Sequence, residues 1–117
     1  MEIKMRVDIL LESGLITKEV YDLLLEIVEM FNKEHQITLT EENGGMFITH
    51  LSAAITRMNK GEPIEELDSA VIDDVRSDKN YSSANVIYEN IKNMCKLDFP
   101  LGEEIFIITH ICSILNN

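Results

Sequence analysis

The spacing of apolar residues between positions 20 and 31 constrains the fold more than any other feature of the chain. Val20, Leu23, Leu24, Ile27, Met30 and Phe31 fall at i, i+3, i+4 and i+7 intervals. That spacing lines them along one face of a helix, rather than following the period of two that a strand requires. Glu19, Asp22, Glu26, Glu29 and Lys33 cover much of the opposite face. Thr17 stands where a cap would accept from the first free amides, and Glu19 suits the positive end of the helix dipole. The spacing predicts one helix from there to about residue 35.

Similar patterns recur along the chain. Ile3, Val7, Leu10 and Leu11 share a face over residues 3–13, and Gly14 ends that run. Residues 37–40 read as a link, with Thr40 as the cap of a run beginning Glu41-Glu42; Gly44-Gly45 is expected to loosen its start. From Met46 to about Lys60 the pattern is strong through Phe47, Leu51, Ala54, Ile55 and Met58, until Gly61 and Pro63 stop it. Ile64, Leu67, Val71 and Val75 predict a short helix over about 64–75, and the polar stretch 76–80 reads as a loop. Ser82 or Ser83 is expected to open the next helix, which carries Ala84, Ile87, Tyr88, Ile91, Met94 and Cys95 and ends at Phe99-Pro100. Residues 101–115 are apolar on nearly all sides. Their β-branched content would also suit a strand, but the length and the acidic first turn, Glu103-Glu104, favour a helix at the centre of a bundle. The expected fold is all-α, a compact bundle of five to six helices. One domain over 1–117 is expected, with 1–14 as a short helical extension.

A chain of 117 residues with 45% hydrophobic content is large enough to bury its own core. Ten Lys and Arg against 21 Asp and Glu give a formal charge of -11. That balance argues against nucleic acid and anionic membrane surfaces as partners and favours a cationic one. The chain has neither an apolar run of membrane-spanning length nor the apolar core of a signal peptide at its start, so a cytoplasmic location is expected. Cys95 and Cys112 lie within apolar helical patterns and read as reduced core thiols.

The chemistry-bearing residues are the histidines. There are three, and two share a context: Ile48-Thr49-His50-Leu51 is answered sixty residues later by Ile108-Thr109-His110-Ile111. Arg57 follows His50 by seven residues, which on a helix brings it back to within about 20° of the same face. His35, near a helix C-terminus, needs no function, because its cationic form suits the dipole there. A histidine on an apolar face is usually a satisfied core residue, and Thr49, Thr109, Ser52 and Ser113 are potential partners for the two rings. A metal site from His50, His110 and Cys112 lacks the usual ligand spacing on one helix. Hydrolysis would require a nucleophile motif or a glycine-rich loop, and the sequence has neither. No cofactor and no enzymatic activity are expected. The remaining chemistry is phosphorylation of the imidazoles, with Arg57 able to steady the phosphate.

His50-Leu51-Ser52-Ala53-Ala54-Ile55-Thr56-Arg57 and Pro100-Leu101-Gly102-Glu103-Glu104-Ile105-Phe106-Ile107-Ile108-Thr109-His110-Ile111 resemble the two signatures of the PTS regulation domain, or PRD. Those signatures run roughly His-Leu-x-x-Ala-Ile-x-Arg and Pro-x-x-Glu-x-x-Phe-Ile-x-x-His, and the resemblance covers about residues 15–116. It implies a helical bundle that commonly dimerises. It also implies that His50 and His110 accept phosphoryl groups from phosphocarrier HPr or an EIIB component of the sugar phosphotransferase system, with Arg57 and Glu103 in supporting positions. Phosphorylation would then shift the dimer and control transcription or antitermination. Many members carry Asp directly before the first histidine, where this chain has Thr49. With no basic or helix-turn-helix effector in the sequence, the chain looks like a free-standing PRD acting through a partner protein. The alternative is a helical binding or dimerisation module whose histidines are structural.

Overall fold

Side-chain caps and left-handed turns set the helix boundaries in the computed structural model, which describes residues 2–64 and 67–116. Six helices and no strand are found among the described residues, so the all-α expectation holds. The chain divides into two compact units, Met1–Thr56 and Arg57–Asn117.

In the first unit, α1 spans Ile3–Glu12 and buries Ile3, Val7 and Leu10 against α2. It ends in a left-handed Gly14, φ 76°, with Leu15 N–H returning to the Leu10 carbonyl at 3.1 Å. α2 runs Lys18–His35, and the Thr17 hydroxyl accepts from Val20 N–H at 3.2 Å, as the sequence predicts. Its buried face is Val20, Leu24, Ile27, Met30 and Phe31. Phe31 meets Phe47 edge to face, with ring centroids 5.6 Å apart.

α3 spans Glu41–Asn59. Thr40 and Asn43 cap it reciprocally: the Asn43 amide donates to the Thr40 hydroxyl at 3.2 Å, and the Thr40 amide donates to the Asn43 side-chain oxygen at 2.7 Å. The two glycines do not loosen this start. The helix runs unbroken from Glu41 and both glycines are buried. Their lack of a Cβ gives clearance instead: one built on Gly44 would lie 3.0 Å from the Leu39 side chain.

In the second unit, α3 terminates at a left-handed Gly61, φ 72°. α4 spans Ser69–Arg76, shorter than the expected 64–75. The Asp68 carboxylate accepts from Ala70 N–H at 2.8 Å and so opens the helix there. Of the four apolar residues that suggested the longer helix, only Val75 is buried. Positions 65 and 66 of that expected helix lie outside the described residues. α5 spans Tyr81–Cys95, starting slightly before Ser82 because the Asp78 carboxylate takes the Asn80 N–H at 2.8 Å and folds the loop into the first turn. α6 spans Leu101–Leu115, as expected, and α5 and α4 both pack against it. Tyr88 on α5 is fully buried beside Phe99, and its hydroxyl makes no hydrogen bond among the described residues. Burial, then the nearby carboxylates led by Glu104, push its pKa well above the ordinary value.

Candidate functional site

The two signature segments fold as helix, and one arginine–carboxylate fork joins a residue of the first to a residue of the second. In the second unit Arg57, in the last turn of α3, reaches Glu103 in the first turn of α6. Its Nε donates to Oε2 at 2.8 Å and its Nη2 to Oε1 at 2.7 Å. Glu103 is 0% exposed, and Oε2 also accepts the Ile64 backbone N–H at 3.0 Å. Burial pushes the Glu103 carboxyl up, but the guanidinium and the backbone donor outweigh it and hold the pKa below the usual carboxylate range. Gly102 completes this arrangement. A Cβ there would lie 2.5 Å from the Ile64 carbonyl oxygen, so only glycine lets that strand of backbone approach. The sequence reading named Arg57 and Glu103 separately, and the structure brings them together. For Arg57 to bind a phosphoryl group, the fork would have to open, stranding a carboxylate in the core.

The first unit holds a cluster that the sequence reading missed. Arg6 of α1 lies along α3, where Glu41, Gly45 and Thr49 follow one another at four-residue steps. Its Nε donates to Glu41 Oε2 at 2.8 Å, its Nη2 pairs with Glu41 Oε1, and its Nη1 donates to the Thr49 hydroxyl at 2.7 Å. A Cβ on Gly45 would come within 2.9 Å of Glu41 Oε2 and 3.0 Å of Arg6 Nε. The hydrogen bonds from Arg6 lower the Glu41 pKa. Arg6 and Glu41 remain 28% and 25% exposed. No local spacing signals this cluster, because it joins residues 35 and 43 positions apart.

His50 lies half-buried on α3, directly after Thr49. His110 lies half-buried on α6, its ring edge-on to Phe106 at 5.2 Å between centroids. The two histidines belong to different units. The hydroxyls considered as their partners also serve the backbone: Ser52 donates to the Thr49 carbonyl at 2.7 Å, and Thr109 to the Ile105 carbonyl at 2.8 Å. His35 closes α2, half-buried beside Phe31. A cleft of about 180 Å³ beside α6 is lined by Asp74, Asp78, Thr109, Cys112, Ser113 and Asn116. Both cysteines are free. Burial pushes Cys95 up to about 12 and also raises Cys112, which leaves both as inert thiols. Among the described residues, no group of three or more His, Cys, Asp or Glu side chains is placed to hold a metal ion. None of the described helices is long and apolar enough to cross a membrane.

Comparison with known proteins bears on these two segments directly. The PRD domain family matches residues 25–114, a span that includes both histidines and the Arg57–Glu103 fork. The chain belongs to the PRD family. PRDs are regulatory rather than catalytic domains, associated in general with the phosphotransferase system. The chain is also 23% identical over 106 residues to the uncharacterized protein YhfY of Escherichia coli (strain K12), covering 91% of this chain and 88% of that protein. No solved structure matches it. The PRD match begins inside α2, so α1 and Arg6 lie outside it.

Proposed function

We propose that this PRD is a phosphotransferase-responsive switch whose phosphoacceptors are His50 and His110. The observation that carries the reading is the presence of both PRD signatures, in order, with each histidine half-buried on a helix. Both residues keep part of their surface in solvent, as a phosphoryl donor that approaches them needs. The donor is phospho-HPr or a phosphorylated EIIB component. A ring nitrogen of the acceptor forms the new N–P bond as the donor's bond to phosphorus breaks. The departing electron pair stays with the donor atom, which takes up the proton given up by the acceptor ring. Arg57 and Glu103 support the site by holding the end of α3 and the Ile64 segment against the start of α6.

Each phosphoryl group adds about -1.5 to -2 charges at neutral pH. On a chain of formal charge -11, that charge biases a self-association equilibrium. The output is a change in homodimerisation, or in contact with a partner regulator, that controls transcription or antitermination. The whole of 1–117 acts as one PRD with α1 as its extension.

Incubation with phosphoenolpyruvate, enzyme I and HPr, with and without EIIB, tests this by intact mass. Acid-labile phosphate is expected on the wild-type chain and is lost when both His50→Ala and His110→Ala are present. Equal uptake by the double variant would exclude the two histidines as acceptors. The second reading, a binding module with structural histidines, is favoured by the Phe106–His110 ring contact. It expects no phosphate from any donor and a loss of stability in each single variant.

A further inference from the structure

We infer that Arg6 is a resident cation for the His50 site, held in waiting by Glu41 and surrendered to a phosphoryl group when His50 is modified. The inference rests on the phosphoacceptor reading above. It names a residue from a helix that the PRD match does not include.

The geometry sets Arg6 apart from the chain's other arginine fork. Arg6 Nη1 already reaches the Thr49 hydroxyl at 2.7 Å. Thr49 and His50 are consecutive, with Cα atoms about 3.8 Å apart and side chains about 100° apart around the helix. The exchange requires the arginine arm to cover that step by a change of rotamer while its stem stays on α1. Its present partner is a single carboxylate that is 25% exposed, so water can take over when the guanidinium leaves. The incoming phosphoryl group carries about -1.5 to -2 charges and three acceptor oxygens, against one charge on Glu41. A guanidinium binds such a group through two parallel donors. Arg57 cannot make the same exchange, because Glu103 is 0% exposed and would be left charged in the core. Gly45 gives Arg6 the room to lie flat along α3, with 3.0 Å between its Nε and the position a Cβ would take.

The exchange makes Glu41 a competitor of the phosphoryl group, and this separates the inference from a merely structural ion pair. The measurement is the equilibrium partition of phosphoryl groups between the donor that loads the wild-type chain and His50. It is read by intact mass in a His110→Ala background so that His50 alone reports. Arg6→Ala is expected to lower the phosphorylated ratio about tenfold, the worth of one charge-assisted hydrogen bond. Glu41→Gln frees the guanidinium and is expected to raise it. Arg6→Lys keeps the charge without the fork and should fall between wild type and Arg6→Ala. If Arg6→Ala melts, Arg6→Gln preserves much of the apolar arm and takes its place. Shifts of the same sign in Arg6→Ala and Glu41→Gln, or no shift in either, would overturn the assignment of Arg6 while leaving His50 as an acceptor. No phosphoryl group on His50 before either change is made would overturn both.

Discussion

The two arginine–carboxylate forks have the same chemistry and opposite settings. Arg57–Glu103 joins two signature positions, and its carboxylate is completely enclosed and shared with a backbone N–H. Arg6–Glu41 joins a helix outside the family match to the first turn of α3, and both partners keep about a quarter of their surface in water. An enclosed charge cannot be left alone, so the first fork is a fixed strut. A part-exposed charge can be left to solvent, so the second is free to change partners. Burial of the carboxylate, more than the pairing itself, decides which arginine can take part in a switch.

The most damaging break to this contrast is Arg57→Met. It leaves Glu103 enclosed and uncompensated, and should cost about 3 kcal/mol in chemical denaturation. Glu103→Gln together with Arg57→Met should recover part of that loss by removing the stranded charge. Acid probes the same strut without mutation. The folded-state pKa of Glu103 lies below its unfolded value, so its stabilisation is complete above the unfolded value of about 4.3 and is lost as pH falls through the folded value. Thermal melts between neutral pH and pH 3 should show that loss in the wild type and a shallower one in Glu103→Gln.

The two glycines beside the forks sharpen the contrast. Gly102→Ala puts a methyl group 2.5 Å from the Ile64 carbonyl oxygen, a backbone atom, and should cost about 2 kcal/mol in a denaturant titration. Gly45→Ala meets only the far ends of two flexible side chains. The helix-propensity gain of alanine, about 1 kcal/mol, offsets the crowding, so stability should change by less than that amount. The same variant should displace Arg6, so hydrogen exchange in α1 is expected to quicken even though the global midpoint holds. An equal cost at both glycines would contradict the division into strut and exchangeable pair.

The helices were legible in the sequence wherever an apolar face and a cap coincided. Thr17, Gly14 and Gly61 mark boundaries that the structure keeps, whereas α5 ends at a left-handed Lys96, four residues before the Pro100 expected to break it. The short α4 was overextended because Ile64 and Leu67 continue the apolar register, whereas Asp68 is the residue whose carboxylate opens the helix. Pattern alone cannot weigh a cap against a register when the helix has only two turns. At the candidate site, motif matching brought out His50, His110, Arg57 and Glu103, all of which lie in the span that matches the PRD family. It could not show that the last two are partners, because residues 46 positions apart leave no periodic trace. Arg6 was invisible for the same reason, in a segment that carries no motif.

The buried hydroxyl of Tyr88 has a consequence at the other end of the pH scale. Its raised pKa means that the folded chain keeps the phenol neutral where an unfolded chain would release the proton, above about pH 10. Each further step in alkalinity then favours the open chain, so the second unit carries a built-in limit of tolerance to base. The chain has no tryptophan and only three tyrosines. The part of the tyrosinate absorbance that Tyr88→Phe removes is therefore expected to rise only as the second unit opens.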